Sequence, residues 1–286
     1  MSSVTSRAQA SQADPRLHYD ALAAVPSTLR IPLTARAFGD AMFPEVAVGD
    51  AHAVRMMAEL DDDGQTWLED PACVYGVLAR TRRFRDVAQD YLQTQPAGQV
   101  VNLGCGLSHY FQWLDNGRAR MIDADLPEVL AMRDLLLPPA TARHTQQVLD
   151  LRSDDWWASL ALPDRDGTPV CLLSEGVLMY LKPVQVQALI HTLGERAPAG
   201  SVFAFDALCW LTVGQAQVHP LVRHTTAEFT WGPRGLAELR EAHPRVRLAA
   251  AHEVMDGFST GHSFAGSAFR FVTGVPFYAV YVLQVV

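Results

Sequence analysis

The sequence predicts an α/β protein: an open, mostly parallel sheet with its last strand antiparallel, preceded by a helical segment. Three observations carry that expectation. Apolar runs recur at QVVNL, ARMID, QQVLDL, VCLLSE and SVFAFD, starting at Gln99, Ala119, Gln146, Val170 and Ser201. Stretches of roughly fifteen to twenty-five residues separate them, which is the rhythm of β-α-β units. A final run, FYAVYVLQVV from Phe277, follows a long irregular excursion and suits an antiparallel strand added to a parallel sheet.

Taken in order, MSSVTSRAQASQADP has no apolar core and reads as a disordered leader over 1–15 rather than a signal peptide. Residues 16–95 read as a helical lid over the sheet edge, where Val77, Phe84, Val87 and Tyr91 form one apolar stripe. The sheet domain then occupies 96–286. Within it Pro127 opens the helix PEVLAMRDLLL, and Pro138 with Pro139 stops it. Pro183 opens another, with Val186, Leu189, Ile190 and Leu193 on one face, and Gly194 and Pro198 help to end it. The stretch 207–270, rich in His, Trp and Gly, reads as an insertion that would serve an acceptor site.

Composition narrows the class. At 286 residues, 49% hydrophobic and 19% charged, the chain can bury one large core with a small appended unit. A net charge of -8 argues against a nucleic-acid partner, since the one basic island, ARTRRFRD, does not offset it. Cys73, Cys105, Cys171 and Cys209 form no CxxC pair, so neither a disulfide framework nor a zinc site is suggested. The apolar stretch 271–286 is broken by Gly274 and Pro276 and is too short to cross a bilayer. A reducing, cytoplasmic setting without membrane attachment is the expectation.

The residues that close the strand runs are unusually polar. The first ends at Gly104-Cys105-Gly106, the second at Asp123-Ala124-Asp125, the third at Asp150-Leu151, the fourth at Ser174-Glu175-Gly176 and the fifth at Asp206. In open α/β sheets that edge is where ligands bind. Glycines let the backbone approach a ligand, and a carboxylate at the end of the second strand can accept from both ribose hydroxyls. The third glycine of the dinucleotide fingerprint is replaced by His109, and no GK[ST] occurs. A nucleoside without a phosphate chain therefore fits better than NAD or ATP, and S-adenosyl-L-methionine is the commonest such cofactor. Absence of GxSxG argues against a hydrolase.

LGCGL, DADLPEVL, VLDL and SEGVLMYL, in that order, resemble the leucine carboxyl methyltransferase superfamily, S-adenosyl-L-methionine-dependent enzymes with a Rossmann-like sheet and a helical lid. STLRIPLTARA and EFTWGPRGLAELR are similar to its tetracenomycin polyketide O-methyltransferase branch, and the resemblance runs from about Ser27 to Asp256. It implies that Arg80 pairs with the methionine carboxylate, as a bidentate guanidinium can. Gly104 and Gly106 would lie against the methionine portion, and Asp125 would hold the ribose, with Asp123 as the competing candidate. Asp150 and Leu151 would frame the adenine, Glu175 would sit near the methionine amine, and Arg36 would help from the lid or form a structural ion pair. The family's usual Leu-Asp-Thr-Arg after the glycines is here Leu107-Ser108-His109-Tyr110.

The expected activity is O-methylation of a small-molecule acceptor, with a carboxyl group of a polyketide-like compound favoured by resemblance. A carboxylate is ionised at neutral pH and needs no base, whereas a phenol, with a pKa of about 10, would want one nearby. His109 and Tyr110 are the candidates for such a base. Tyr110, Trp113, Tyr180, Trp210 and Trp231 are candidates to wall a flat acceptor. A hydroxyl acceptor, a binding module without turnover and an NAD-dependent oxidoreductase are the alternatives.

Overall fold

The structure is a computed structural model, and it describes residues 27–60 and 64–286. The expected leader and the first residues of the lid lie outside that range. Among the described residues four α-helices precede the sheet: α1 (Ser27–Met42), α2 (Ala51–Glu59), α3 (Gln65–Leu68) and α4 (Pro71–Thr94). Local chemistry sets their starts. Asp50 caps α2 by accepting from the Ala53 amide, and Asp70 caps α4 by accepting from the Ala72 and Cys73 amides, with Pro71 in the first turn.

The sheet domain follows as β1 (Gln99–Leu103), α5 (Phe111–Leu114), β2 (Arg120–Asp125), α6 (Pro127–Leu136), β3 (His144–Val148), α7 (Trp156–Ser159), β4 (Val170–Ser174), α8 (Pro183–Arg196), β5 (Val202–Leu208), α9 (Leu236–Arg240), β6 (Val246–Glu253), α10 (Thr260–Thr273) and β7 (Tyr278–Val285). The strand order is β3-β2-β1-β4-β5-β7-β6. Strands β1 to β5 are parallel, and β7 inserts antiparallel between β5 and β6. The order reverses between β1 and β4, which opens a crevice at their carboxyl ends.

The antiparallel final strand is present, but it has an antiparallel partner that the sequence reading left inside the irregular stretch. RVRLAAAHE carries Arg247 and a run of alanines, which dilutes the strand pattern, and β6 lies at one edge of the sheet beside β7. The third run also ends earlier than expected, at Val148, so Asp150 and Leu151 belong to the following loop.

Alternation along the strands feeds two cores. Val101, Leu103, Leu172, Phe203 and Phe205 pack against Val186, Leu189, Ile190 and Leu193 of α8 and against Trp156 and Trp157. Val100, Met121, Cys171, Leu173 and Val280 pack on the other face against Phe84, Ala88, Tyr91 and Leu92 of α4. Helix α4 thus packs along one face of the sheet, and α1 brings Leu29 to the glycine loop. All four cysteines are unpaired. No helix among the described residues is long and apolar enough to cross a membrane.

Candidate cofactor and acceptor site

Gly104 and Gly106 both adopt left-handed backbone, with φ of +71° and +49°, and turn the chain away from the end of β1. The turn is pinned to β2. The amides of Gly104 and Cys105 donate to the Ala124 carbonyl, and the Gly106 amide donates to Asp125 Oδ2 at 2.7 Å. Asp125 Oδ1 accepts from the Leu126 amide, also at 2.7 Å. Burial pushes the Asp125 carboxyl up against the pull of those two amides. A β-carbon on Gly104 would meet Val177, and one on Gly106 would meet Leu29 of α1. The glycine loop is thus sheathed by two apolar side chains.

Asp123 is not at this crevice. It is completely buried and accepts from Arg133 Nη2, with His144 Nε2 at 2.7 Å and Asn102 Nδ2 at 3.4 Å. Burial alone would raise its carboxyl, but Arg133 and His144 together outweigh it and hold the group below the usual range. Asp123 therefore organises the interior and leaves Asp125 as the strand-end carboxylate. His109, Asp123 and His144 bring potential ligand atoms within 4.8 Å of one another, but the guanidinium on Asp123 disfavours a cation there.

Arg80 reaches the crevice from α4. Its Nε donates to Glu175 Oε1 at 2.9 Å, and its Nη1 donates to the Tyr278 hydroxyl at 2.7 Å and to Asp206 Oδ2 at 3.2 Å. Nη2 makes no hydrogen bond among the described residues. It lies 3.2 Å from the place a β-carbon on Gly176 would occupy, so the missing side chain leaves that face of the guanidinium open. This is a donor edge suited to a carboxylate. Glu175 also accepts from Thr81 Oγ1 and, at 2.5 Å, from the Tyr110 hydroxyl. Burial pushes Glu175 up, but Arg80 and the surrounding donors outweigh it and lower the carboxyl. Asp206, whose Oδ1 holds the Gly176 amide at 2.6 Å, is raised by burial despite Arg80.

The two residues considered as bases are otherwise engaged. Tyr110 is fully buried, and burial together with Glu175 drives its hydroxyl well above the phenol range. His109 is buried between His52 and His144, with ring centroids 4.5 and 5.0 Å away. Neither presents a free basic atom to the crevice. The Ser108-His109-Tyr110 replacement also becomes intelligible: the phenol of Tyr110 takes up Glu175, while Ser108 accepts from Asn102 and donates to the Cys105 carbonyl.

Burial and the neighbouring His144 push His109 down to about 4 from the ordinary 6.5. Such a base protonates first in the unfolded chain, so its contribution to stability is complete above pH 6.5 and declines as pH falls toward 4. Between pH 7 and pH 5 the native protein should lose about 2 kcal/mol more than a His109→Leu variant, measured by urea unfolding. Equal losses in the two proteins would show that His109 is not held neutral.

The remaining candidates divide cleanly. Arg36 is buried in an ion pair with Asp50 at 2.8 Å and donates to the Leu107 carbonyl, a structural role that ties α1 to the loop after the glycines. Asp150 is half-buried and paired with Arg152, and Leu151 is half-buried against the core beside it. Trp231 belongs to the core with Phe205, and Trp113 packs edge-on against Tyr110. Tyr180 and Trp210 are exposed, and Tyr180 lies beside Phe229 with centroids 5.7 Å apart. His219 also meets Phe229, and its Nδ1 accepts from the Leu221 and Val222 amides, which places the proton on Nε2. Tyr278 and Thr81 are polar residues of this site that polar strand ends do not reveal.

The profile of the leucine carboxyl methyltransferase family matches residues 2–194. The tetracenomycin polyketide synthesis O-methyltransferase of Streptomyces glaucescens is 27% identical over 236 residues, covering 82% of this chain and 85% of that protein. A protein of Mycobacterium marinum, provisionally named an S-adenosyl-L-methionine-dependent methyltransferase, is 31% identical over 194 residues, 64% of this chain and 56% of its own length. The crystal structure of a protein of Thermobifida fusca, provisionally named a methyltransferase, superposes with a TM-score of 0.58 at 15% identity, covering 92% of this chain and 97% of that one. With a sheet that reverses at the glycine loop and a family profile over most of its length, the chain belongs to the leucine carboxyl methyltransferase family of S-adenosyl-L-methionine-dependent enzymes.

Proposed function

We propose that this chain is an O-methyltransferase that esterifies a carboxyl group on a small, polyketide-like acceptor. The supporting observation is that the two side chains best placed in sequence to act as a base, His109 and Tyr110, are both committed to the interior. A carboxylate nucleophile does not need them. The likeness to the Streptomyces glaucescens enzyme supports a polyketide-like acceptor.

The residues fit the cofactor by the chemistry of their donors. Arg80 offers Nη2 to the methionine carboxylate, and Asp125 has lone pairs left for the ribose hydroxyls beyond those given to two amides. Asp150 and Leu151 would border the adenine from the loop after β3. One guanidinium faces two carboxylates, Glu175 and Asp206, so the cluster carries a net negative charge. That suits the methionine ammonium and the sulfonium. When bound, S-adenosyl-L-methionine supplies an electrophilic methyl group, and the work left to the protein is alignment and exclusion of water. Val177 and Leu29 would contribute the dry walls. On the acceptor side, His219 carries its proton on Nε2, so it is suited to donate to an acceptor oxygen rather than to remove a proton.

The test is chemical. The purified protein is supplied with methyl-labelled cofactor and a set of aromatic polyketide carboxylic acids and phenols, and the labelled product is treated with mild alkali. A methyl ester releases its label as methanol and an ether keeps it, so label that survives the treatment overturns the carboxyl reading.

A further inference from the structure

We propose that Tyr278 is a positioning residue for cofactor binding: it holds Arg80 so that Nη2 stays directed at the crevice. The inference rests on the reading of Arg80 as the group that receives the methionine carboxylate. Topology brings Tyr278 there. Parallel strands present their last residues at the ligand edge, but β7 runs antiparallel and presents its first, with Tyr278 in register opposite Leu208 at the end of β5. Sequence reading confined to strand ends cannot find such a residue.

The hydroxyl does two things at once. It accepts from Arg80 Nη1 at 2.7 Å and donates to Asp206 Oδ2 at 2.6 Å, whereas the direct contact between Arg80 and Asp206 is longer, at 3.2 Å. The phenol therefore completes the anchorage of Nη1, while Glu175 anchors Nε. Helix α4 and strands β5 and β7, with the loop after β4, converge on a single guanidinium. A long arginine side chain fixed before binding loses little freedom on meeting its partner, and a loose one loses more. Removing the hydroxyl leaves Nη1 with the long contact alone and frees the side chain to turn away from Gly176.

The test compares two ligands on the full chain by titration calorimetry. S-adenosylhomocysteine carries the carboxylate; 5′-methylthioadenosine lacks the whole amino-acid end. Tyr278→Phe is expected to weaken S-adenosylhomocysteine about tenfold, as loss of one hydrogen bond to a charged group does, and 5′-methylthioadenosine less than about twofold. The second ligand also reports whether the variant is folded. Unchanged affinity for S-adenosylhomocysteine, or equal losses for both ligands, overturns the proposal. If the native protein already binds the two equally, the carboxylate role of Arg80 fails first and takes this inference with it, an outcome visible without the variant.

Discussion

Replacing Arg133 by methionine is expected to cost the fold about 3–5 kcal/mol at neutral pH, because it strands a buried carboxylate. Arg133 is 1% exposed and all its nitrogens are engaged. Nη1 donates to the carbonyls of Gly106 and Ser108, at 2.7 and 2.6 Å, Nε donates to Gln146 at 3.1 Å, and Nη2 meets Asp123. One side chain on α6 thus supports the loop after the glycines, β2 and β3. Methionine fills much of the same volume, so the loss is electrostatic and polar rather than a cavity. A double variant, Asp123→Asn with Arg133→Met, should recover part of the loss, and urea unfolding of the four proteins of the cycle should give a coupling of at least about 1 kcal/mol. The pH dependence has a defined sign. Asp123 is lowered from 3.8 in the native protein, so its contribution is present above that value and is lost as pH falls further. A single-variant loss below about 1 kcal/mol would show that the pair is not what supports the loop.

The sheet was legible because burial on both faces leaves continuous apolar runs, and QVVNL, VCLLSE and SVFAFD read as strands for that reason. RVRLAAAHE was not legible, because an outer strand tolerates Arg247 and three alanines where a central one does not. The same division runs through the site. Arg80, Glu175 and Asp206 converge within hydrogen-bond reach, as polar strand ends and the family resemblance imply. Asp123 and Asp125 stand two residues apart on one strand, so both point to the same face by alternation, and only the positions of Arg133 and His144 decide which is spent internally. Tyr110 looked available because a sequence shows a phenol but not the carboxylate to which its hydroxyl donates. Arg133 went unremarked inside PEVLAMRDLLL, where an arginine near a helix end reads as an ordinary solvated residue.

Arg80→Met is expected to abolish cofactor binding, with affinity for S-adenosylhomocysteine falling at least about 100-fold, whereas the same change at exposed Arg83 leaves it intact. The guanidinium is the positive member of a cluster whose other charged members, Glu175 and Asp206, have side chains 6% and 0% exposed. If Arg80 receives the ligand carboxylate as proposed, its removal takes away that donor and leaves two acids facing the ligand, so binding is opposed as well as unsupported. Stability should fall too, by about 3–5 kcal/mol at neutral pH, and this loss should shrink on acidification. Burial already pushes Asp206 up, and loss of Arg80 removes the largest lowering influence on Glu175, so both carboxyls are expected to lie above their unfolded values in the variant. A raised carboxyl binds its proton more readily in the folded state, so the deficit is small at pH values near and below the ordinary carboxylate range and grows as pH rises through the folded values. Calorimetry on the variant at neutral pH and urea unfolding at pH 5 and 7 measure the two effects separately. Binding within about threefold of the native protein would exclude Arg80 as the carboxylate clamp, and a deficit that widens on acidification would mean that the two acids were never the source of the instability.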